Sequence, residues 1–170
     1  MLKAKKISTS HMLMSEVFSS QDVTRITGVS LRQLQWWDEQ GVVSPTQRGH
    51  KRLYKIHEVI EVAVINELRG KGVSLQKIRR VMRFLHKEMG GSLLDSAGNG
   101  RDVHLLTDGK HFFLEDDHER IIDIFNHAHQ PMISVCVSNQ IRRLTSTSVL
   151  KKSVKPETRL GMPSRTKRVS

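Results

Sequence analysis

The side chains best suited to contact a nucleic acid are concentrated in one short stretch of this sequence. Arg32, Gln33 and Gln35 fall on the outward side of a short predicted helix. An arginine can bond a guanine edge with two donors or clamp a phosphate, and a glutamine can pair with an adenine edge. Trp36 adds a flat ring and an N–H donor that could pack against a sugar-phosphate backbone. These residue types at the start of a helix predict an element that reads the major groove of DNA.

A loop rich in basic side chains follows this helix and is centred on Gly49. Glycine has no side chain, so the loop could approach a second stretch of phosphate closely. Such a loop between two short strands, over residues 42–54, is typical of the wing of a winged helix. The candidate contacts of the wing are Arg48, His50, Lys51, Arg52 and Tyr54.

The elements that must position these side chains are two short helices that meet at a glycine turn. Ser19 or Ser20 can cap a first helix over residues 21–27, which Gly28 ends. Ser30 opens the second helix as a capping box over 30–33 and is itself a candidate DNA contact. Gly41 ends that helix. The inward residues of the two helices are predicted to be Val23, Ile26, Leu31, Leu34 and Trp37 or Asp38.

Two longer helices are predicted after the wing. The apolar residues of a third helix, at about 56–69, share one face, and the Gly70–Gly72 segment breaks it. Ser74 caps a fourth helix at about 75–87. The outward face of this fourth helix carries Lys77, Arg79, Arg80 and Arg83.

The spacing of the apolar residues changes in the second half of the chain. Residues 90–100 are rich in glycine and form the best candidate linker. Strands at 103–106 and 111–114 flank residues 107–110, which favour a two-residue hairpin turn. Asp116 or Asp117 can cap a short helix, with Ile121, Ile122 and Phe125 inward, before a strand at 132–137 and a helical turn or more at 139–144. So small a ββαβ unit, over 101–144, needs a partner surface to be stable. It could serve dimerisation, signal sensing or contact with another protein.

The predicted fold class is therefore mainly α with a small α+β appendage. The domain organisation is a disordered leader at 1–16, a winged helix-turn-helix domain at 17–89, the linker, the ββαβ unit, and a disordered basic tail at 145–170.

The distribution of charge supports a phosphate-facing first half. The formal net charge is +11, and residues 17–88 hold +6, residues 89–144 hold −3 and the tail holds +6. Basic segments of this kind favour nucleic acid as a partner, although surplus lysine and arginine can also serve solubility alone. The single cysteine excludes an internal disulfide framework, and no apolar run approaches the ~18 residues of a membrane span. These features predict a soluble protein of a reducing cytoplasm.

Metal binding and catalysis have weak support. Cys136 lies in an apolar strand and is better interpreted as a small buried hydrophobe. His104, His111, His118, His127 and His129 lack the carboxylate and cysteine spacing of a known metal site. No phosphate-binding glycine loop or nucleophile motif is present. We expect no cofactor, no metal and no enzymatic activity.

Three blocks of the sequence resemble the winged-helix domain of the MerR family of bacterial transcription regulators. They are GVSLRQLQWWDEQGVV at 28–43, RGHKRLY at 48–54 and LRGKGVSLQKI at 68–78. The resemblance implies that Arg32, Arg52 and Tyr54 contact DNA. It also implies a bacterial cytoplasmic protein that associates with the nucleoid. It implies a homodimer on a near-palindromic promoter site, which acts on RNA polymerase indirectly by bending and untwisting an over-long promoter spacer.

The chain also departs from the MerR pattern. Members usually have an arginine where this chain has Gln35, and a pair of tyrosines where it has Trp36 and Trp37, so an altered site preference is expected. The long dimerising helix that usually follows the fourth helix cannot be found.

Two other functions remain open. An excisionase-like or architectural DNA-binding accessory protein would keep the fold, and mapping bound sites to promoters or to attachment sites would separate it from a regulator. A protein-interaction adaptor would leave the cluster at 48–52 without a purpose.

Overall fold

The computed structural model describes residues 16–88 and 100–152. The described elements follow each other as β1 (Val17–Ser19), α1 (Ser20–Thr27), α2 (Leu31–Glu39), β2 (Thr46–Arg48), β3 (Lys51–Lys55), α3 (Ile56–Gly70), α4 (Leu75–Glu88), β4 (His104–Thr107), β5 (Phe112–Glu115), α5 (His118–His127), β6 (Ile133–Cys136) and α6 (Val137–Lys152). Residues 1–15 of the predicted leader, most of the predicted linker and the predicted tail from residue 153 onward lie outside the described residues.

The two short helices begin at predicted serine caps and α1 ends at the predicted Gly28, whereas α2 ends at Glu39 with Gln40 as its C-cap, one residue before the predicted Gly41. The Ser19 hydroxyl accepts a hydrogen bond from the Asp22 N–H, and the Asp22 carboxylate accepts one from the Ser19 N–H, which completes a capping box. Gly28 ends α1 at φ 76°, a conformation that other residues rarely adopt. Ser30 caps α2 by accepting a hydrogen bond from the Gln33 N–H at 3.2 Å.

The wing is the hairpin of β2 and β3, and it has a third strand that was not predicted. Arg48 pairs with Lys51, so Gly49 and His50 alone form the turn, with Gly49 at φ 62°. Strand β1 pairs antiparallel with β3 on its other side. Because β1 has only three residues, its apolar alternation is too short to recognise in the sequence.

The predicted inward faces of α1 and α2 are correct at Val23, Leu34 and Trp37, which are all buried. The prediction for Leu31 is wrong, because 49% of its surface is exposed. Leu31 is the first residue of α2, where the chain has only just left the turn, and the core reaches the helix from Leu34 onward.

The appendage, residues 101–152, contains a three-stranded antiparallel sheet in the order β5-β4-β6, with α5 and α6. Helix α6 extends well beyond the predicted turn at 139–144. Residues 145–152 are helical, so the prediction of a disordered tail from residue 145 is wrong there. The physical reason is tertiary packing, because Ile141 and Leu144 of α6 enter the core while α6 packs against α3.

The turn between β4 and β5 differs from the predicted two-residue hairpin. Thr107 pairs with Phe112, so the loop has four residues, 108–111. The Asp108 carboxylate accepts hydrogen bonds from the N–H groups of Lys110 and His111, both at 2.7 Å. These side-chain bonds stabilise the wider loop, in which Gly109 adopts φ 89°.

Helix α5 begins after the Asp117 cap, but its predicted inward face is wrong in part. Ile121 is half-buried, whereas Ile122 and Phe125 are 52% and 41% exposed. The helix packs mainly on the edge strand β5, so it has only a narrow surface to cover its apolar residues. Cys136, expected to be buried, is half-buried on the edge strand β6.

The partner surface that the appendage needs is the helical domain of the same chain. Leu105, Val135 and Val137 belong to one hydrophobic core together with Trp37 and residues of α3. Phe84 of α4 and Phe112 of β5 stack with ring centroids 5.7 Å apart. The composition break at 90–100 is therefore not a boundary between separate cores.

A carboxylate and an imidazole meet where α3 and α4 pack. Oε1 of Glu61 lies 2.6 Å from Nε2 of His86, and the Glu61 side chain is only 2% exposed. Burial raises the pKa of Glu61 to about 7, although the attraction of His86 works in the opposite direction. Folding therefore favours the protonated form of this carboxyl.

The Glu61 pKa predicts a stability loss as the pH rises. The contribution of a group with a raised folded-state pKa is fully present below about pH 4.5 and is lost as the pH passes about 7. Between about pH 5 and pH 8, wild type should lose roughly 2–3 kcal/mol of unfolding free energy relative to Glu61→Gln, measured by urea denaturation. Glu88→Gln, an exposed change on α4, is the control. Parallel pH profiles for wild type and Glu61→Gln would contradict the expectation.

Candidate nucleic-acid interface

Helix α2 exposes the face that is predicted from the sequence to contact DNA. Arg32 and Gln35 are exposed, and Gln33 is half-buried. The adjacent tryptophans divide as predicted, with Trp37 fully buried and Trp36 44% exposed. An indole this exposed is free to lie against a DNA backbone, so Trp36 and Arg32 form the outward surface of the helix.

Two of the candidate contacts on α2 already have partners. The Gln35 amide donates a hydrogen bond to Oε1 of Glu39 at 2.9 Å, one helical turn along. The Ser30 hydroxyl accepts the cap hydrogen bond from Gln33. Both residues are exposed, so water competes for these bonds and a DNA group could replace the Gln35 contact.

The tip of the wing carries exposed positive charge. Arg48, His50 and Lys51 are all exposed around the Gly49 turn. In the part of the chain that the structure describes, α4 presents four further exposed cations, Lys77, Arg80, Arg83 and Lys87.

Arg52 connects the wing to α2. Its Nε lies 2.6 Å from Oδ2 of Asp38, and the two side chains are 30% and 17% exposed. The hydrogen bond that Arg52 donates to this carboxylate raises the pKa of its guanidinium above the usual value, so the group stays charged. Because the contact uses Nε, the two Nη groups remain available to face a phosphate.

Arg79 holds the end of α2 from the side of α4. Its Nη2 donates to both the backbone carbonyl and the side-chain oxygen of Gln40, each at 3.0 Å. Gln40 is the C-cap of α2. The sequence pattern places Arg79 only on an outward basic face. Neither its contact with Gln40 nor the contact between Arg52 and Asp38 was predicted. Pairs that lie 39 and 14 residues apart on different elements have no recognisable spacing.

Tyr54 is a core residue in this structure. Only 1% of its surface is exposed, and burial raises the pKa of its phenol. The predicted contact between its hydroxyl and DNA therefore requires correction, because a phosphate cannot reach a side chain enclosed by the core. Its place on β3, beside β1, explains the aromatic residue at this position.

Neither a cluster of metal-binding side chains nor a candidate membrane span is present in residues 16–88 and 100–152. Among them, no three His, Cys, Asp or Glu side chains are placed to hold a metal ion. Across the same residues, no helix combines the length and apolar character needed to cross a membrane.

The sequence profile of the MerR HTH family regulatory proteins matches residues 18–85. These residues form a MerR-type helix-turn-helix domain. In the MerR-type domain, the match begins at β1 and ends within α4, so it includes α2, the wing and the Arg79 contact. The MerR family is one of DNA-binding regulators and not of enzymes.

Curated relatives match parts of this chain and are longer than the matched parts. An uncharacterized HTH-type transcriptional regulator of Mycobacterium tuberculosis is 26% identical over 126 residues, which cover 71% of this chain and 52% of the relative. The HTH-type transcriptional regulator GlnR of Bacillus cereus is 31% identical over 61 residues, which cover 35% of this chain and 47% of GlnR. The chain thus spans about half the length of the curated relatives it matches.

The chain is also similar to a solved structure. HiNmlR, a MerR family regulator lacking the sensor domain and bound to promoter DNA, is 14% identical to this chain. The match covers 81% of this chain and 77% of HiNmlR, with a TM-score of 0.39.

Proposed function

We propose that this chain is a sequence-specific DNA-binding transcriptional regulator that binds a near-palindromic promoter site as a homodimer in the bacterial cytoplasm. The observation that carries the proposal is the arrangement of α2 and the wing. Arg32 and Trp36 are exposed on α2, and Asp38 of the same helix holds Arg52 of the wing. One rigid surface thus presents groups for base edges and for phosphates together.

The division of labour among these residues follows from their positions. Arg32, Gln33 and Gln35 on α2 would read base edges in the major groove. The wing cations Arg48 and Lys51, with His50 when protonated, would contact the backbone beside that groove and supply affinity independent of sequence. Trp36 would pack against a sugar-phosphate stretch.

The proposal is tested by selecting binding sites from random double-stranded DNA at about 0.15 M salt with the full chain. We expect enrichment of a short inverted repeat, and two copies of the protein per site in sedimentation of the complex. Arg101→Ala in the appendage is the control variant and should select the same sites as wild type. It removes an exposed cation that lies far along the chain from α2. Failure to enrich any sequence would contradict the proposal, and an enriched site without symmetry would contradict the dimer.

Genomic mapping distinguishes regulation from an accessory role in recombination. A regulator should occupy sites between promoter elements, and an over-long spacer there would support activation through DNA distortion and RNA polymerase. Binding confined to attachment sites would favour the excisionase-like function.

A further inference from the structure

One side of helix α5 in the appendage leaves apolar side chains uncovered. Ile122 and Phe125 lie three residues apart, on the same side of the helix, and are 52% and 41% exposed. Asp123 and His127 lie on the opposite side, where they line a groove together with Phe113 of β5. Because the groove marks the β5 side of α5, Ile122 and Phe125 face toward the other edge of the sheet, strand β6.

The cover that α5 gives the sheet becomes thinner toward β6. Phe113, Leu106 and Ser134 lie opposite one another on the three strands, so they share the face on which α5 packs. Leu106 on the central strand is fully buried, whereas Ser134 on β6 is only half-buried. The exposed side of α5 and the half-buried face of β6 therefore form one continuous surface.

Strand β6 is an open edge of the sheet. Among the described strands it pairs with β4 alone, and it contains no charged residue. The Val137 N–H donates to the Val103 carbonyl at 2.9 Å. Because every second residue of an antiparallel strand bonds to the same neighbour, the backbone groups of Val135 face β4 and those of Ser134 and Cys136 face outward. An uncharged edge with outward backbone groups can pair with a further strand.

The charge of the appendage permits contact with its own copy. Residues 101–152 contain seven basic and seven acidic residues and have no net charge, whereas residues 17–88 carry +6. Two copies of the MerR-type domain repel each other, above all through the exposed cations of α4, and two copies of the appendage do not. A second copy of this chain therefore fits the appendage better than the helical domain.

We propose, on the basis of the homodimer in the proposed function, that β6 and the exposed side of α5 bind a second copy of the chain. The two sheets join across a twofold axis into one antiparallel sheet of six strands. The outward backbone groups of Ser134 and Cys136 then pair with β6 of the second copy. The two α5 helices lie antiparallel on the same face of this sheet, and Ile122 and Phe125 of each copy cover those of the other.

The size of this contact predicts a weak dimer in the absence of DNA. Ile122 and Phe125 together expose roughly 200 Å², and the half-buried face and edge of β6 add to this area. Specific interfaces begin at about 500 Å² per partner, and contacts near this limit have dissociation constants in the micromolar range. A DNA site with two half-sites would strengthen the dimer by holding both copies together.

Sedimentation of the full chain without DNA, over about 1–200 μM, tests the surface. We expect a monomer–dimer equilibrium in wild type. Phe125→Asp should raise the dissociation constant at least about tenfold, because it brings an unpaired charge into the contact from each copy. Phe113→Asp is the matched control and should dimerise as wild type does. Phe113 is 37% exposed and lies on the same face of the sheet, but on the groove side of α5. Unchanged circular dichroism would show that both variants are folded.

Amide hydrogen exchange, followed by NMR, tests the strand pairing separately. The N–H groups of Ser134 and Cys136 face outward in the monomer, so their exchange should slow as the protein concentration passes the dissociation constant. The N–H of Leu114 faces outward at the opposite edge, on β5, and is the control. Its exchange should not depend on concentration.

Several results would overturn this proposal. They are a monomer at every concentration, equal dimerisation of Phe125→Asp and wild type, an equal loss in Phe113→Asp, and exchange at Ser134 and Cys136 that does not depend on concentration. These readouts involve no DNA. A chain that binds an inverted repeat as two copies while Ser134 and Cys136 stay unprotected would retain the proposed function and lose this dimer surface.

Discussion

Replacement of Arg52 by alanine is expected to weaken DNA binding by about tenfold, to a similar extent on specific and random sequences. Arg52 is on the wing and not on α2, so its loss removes a phosphate contact without changing which bases are read. The slope of log affinity against log salt should fall in magnitude by about one. Fluorescence anisotropy with labelled duplexes over a salt series measures both quantities.

Substitutions around Arg52 separate its charge from its position. Arg52→Lys keeps the charge but loses the planar group that Asp38 holds through Nε, so it should restore binding only in part. Asp38→Asn should weaken binding less than Arg52→Ala, because the cation remains but is less fixed. Arg101→Ala should have little effect. A loss in Arg52→Ala that varies strongly with sequence would show that Arg52 reads bases instead.

Replacement of Leu105 by alanine should destabilise the whole described structure by about 2–5 kcal/mol. Leu105 is fully buried in β4, and the cavity left by the smaller side chain lies in the core that the appendage shares with the MerR-type domain. Both tryptophans of the chain belong to α2, so their fluorescence reports the MerR-type domain alone. We expect the fluorescence transition to occur at a lower urea concentration than in wild type. It should coincide with the transition measured by circular dichroism.

Ile122→Ala is the matched control for Leu105→Ala. It also removes an aliphatic side chain from the appendage, but Ile122 is 52% exposed. The substitution should therefore lower the free energy of unfolding much less than Leu105→Ala does. A tryptophan transition in Leu105→Ala that equals wild type, with a separate earlier transition of the appendage, would show two independent folding units.

Local signals made the MerR-type domain predictable. The serine caps, the glycines with positive φ and the amphipathic periods of α1 to α4 each depend on a few neighbouring residues. The exposed side of α2 followed from the same periodicity. The contacts that fix the interface did not follow, because Arg52–Asp38 and Arg79–Gln40 join residues that only tertiary packing brings together.

The appendage was harder to predict because its stability comes from outside it. Ile122 and Phe125 have helical spacing, but in so small a unit there is no surface to bury both of them. Residues beyond 144 have a polar, basic composition, yet α6 continues there because its first turns pack on α3. The Gln140 amide donates a hydrogen bond to the Glu67 carboxylate across this contact, at 2.5 Å.

The burial of α3 on nearly all sides limits how this DNA-binding module can be recombined. Ten of its fifteen residues are buried, including neighbours such as Val62, Ala63, Val64 and Ile65 that point in different directions. The exposed residues of α3, Asn66, Arg69 and Gly70, all lie at its C-terminal end, so most of the helix is covered by other elements. A chain cut before residue 100 would expose the side of α3 that α6 covers, and self-association would follow. Transfer of this module to another effector region, by evolution or in the laboratory, therefore requires either a new cover for α3 or polar substitutions along it.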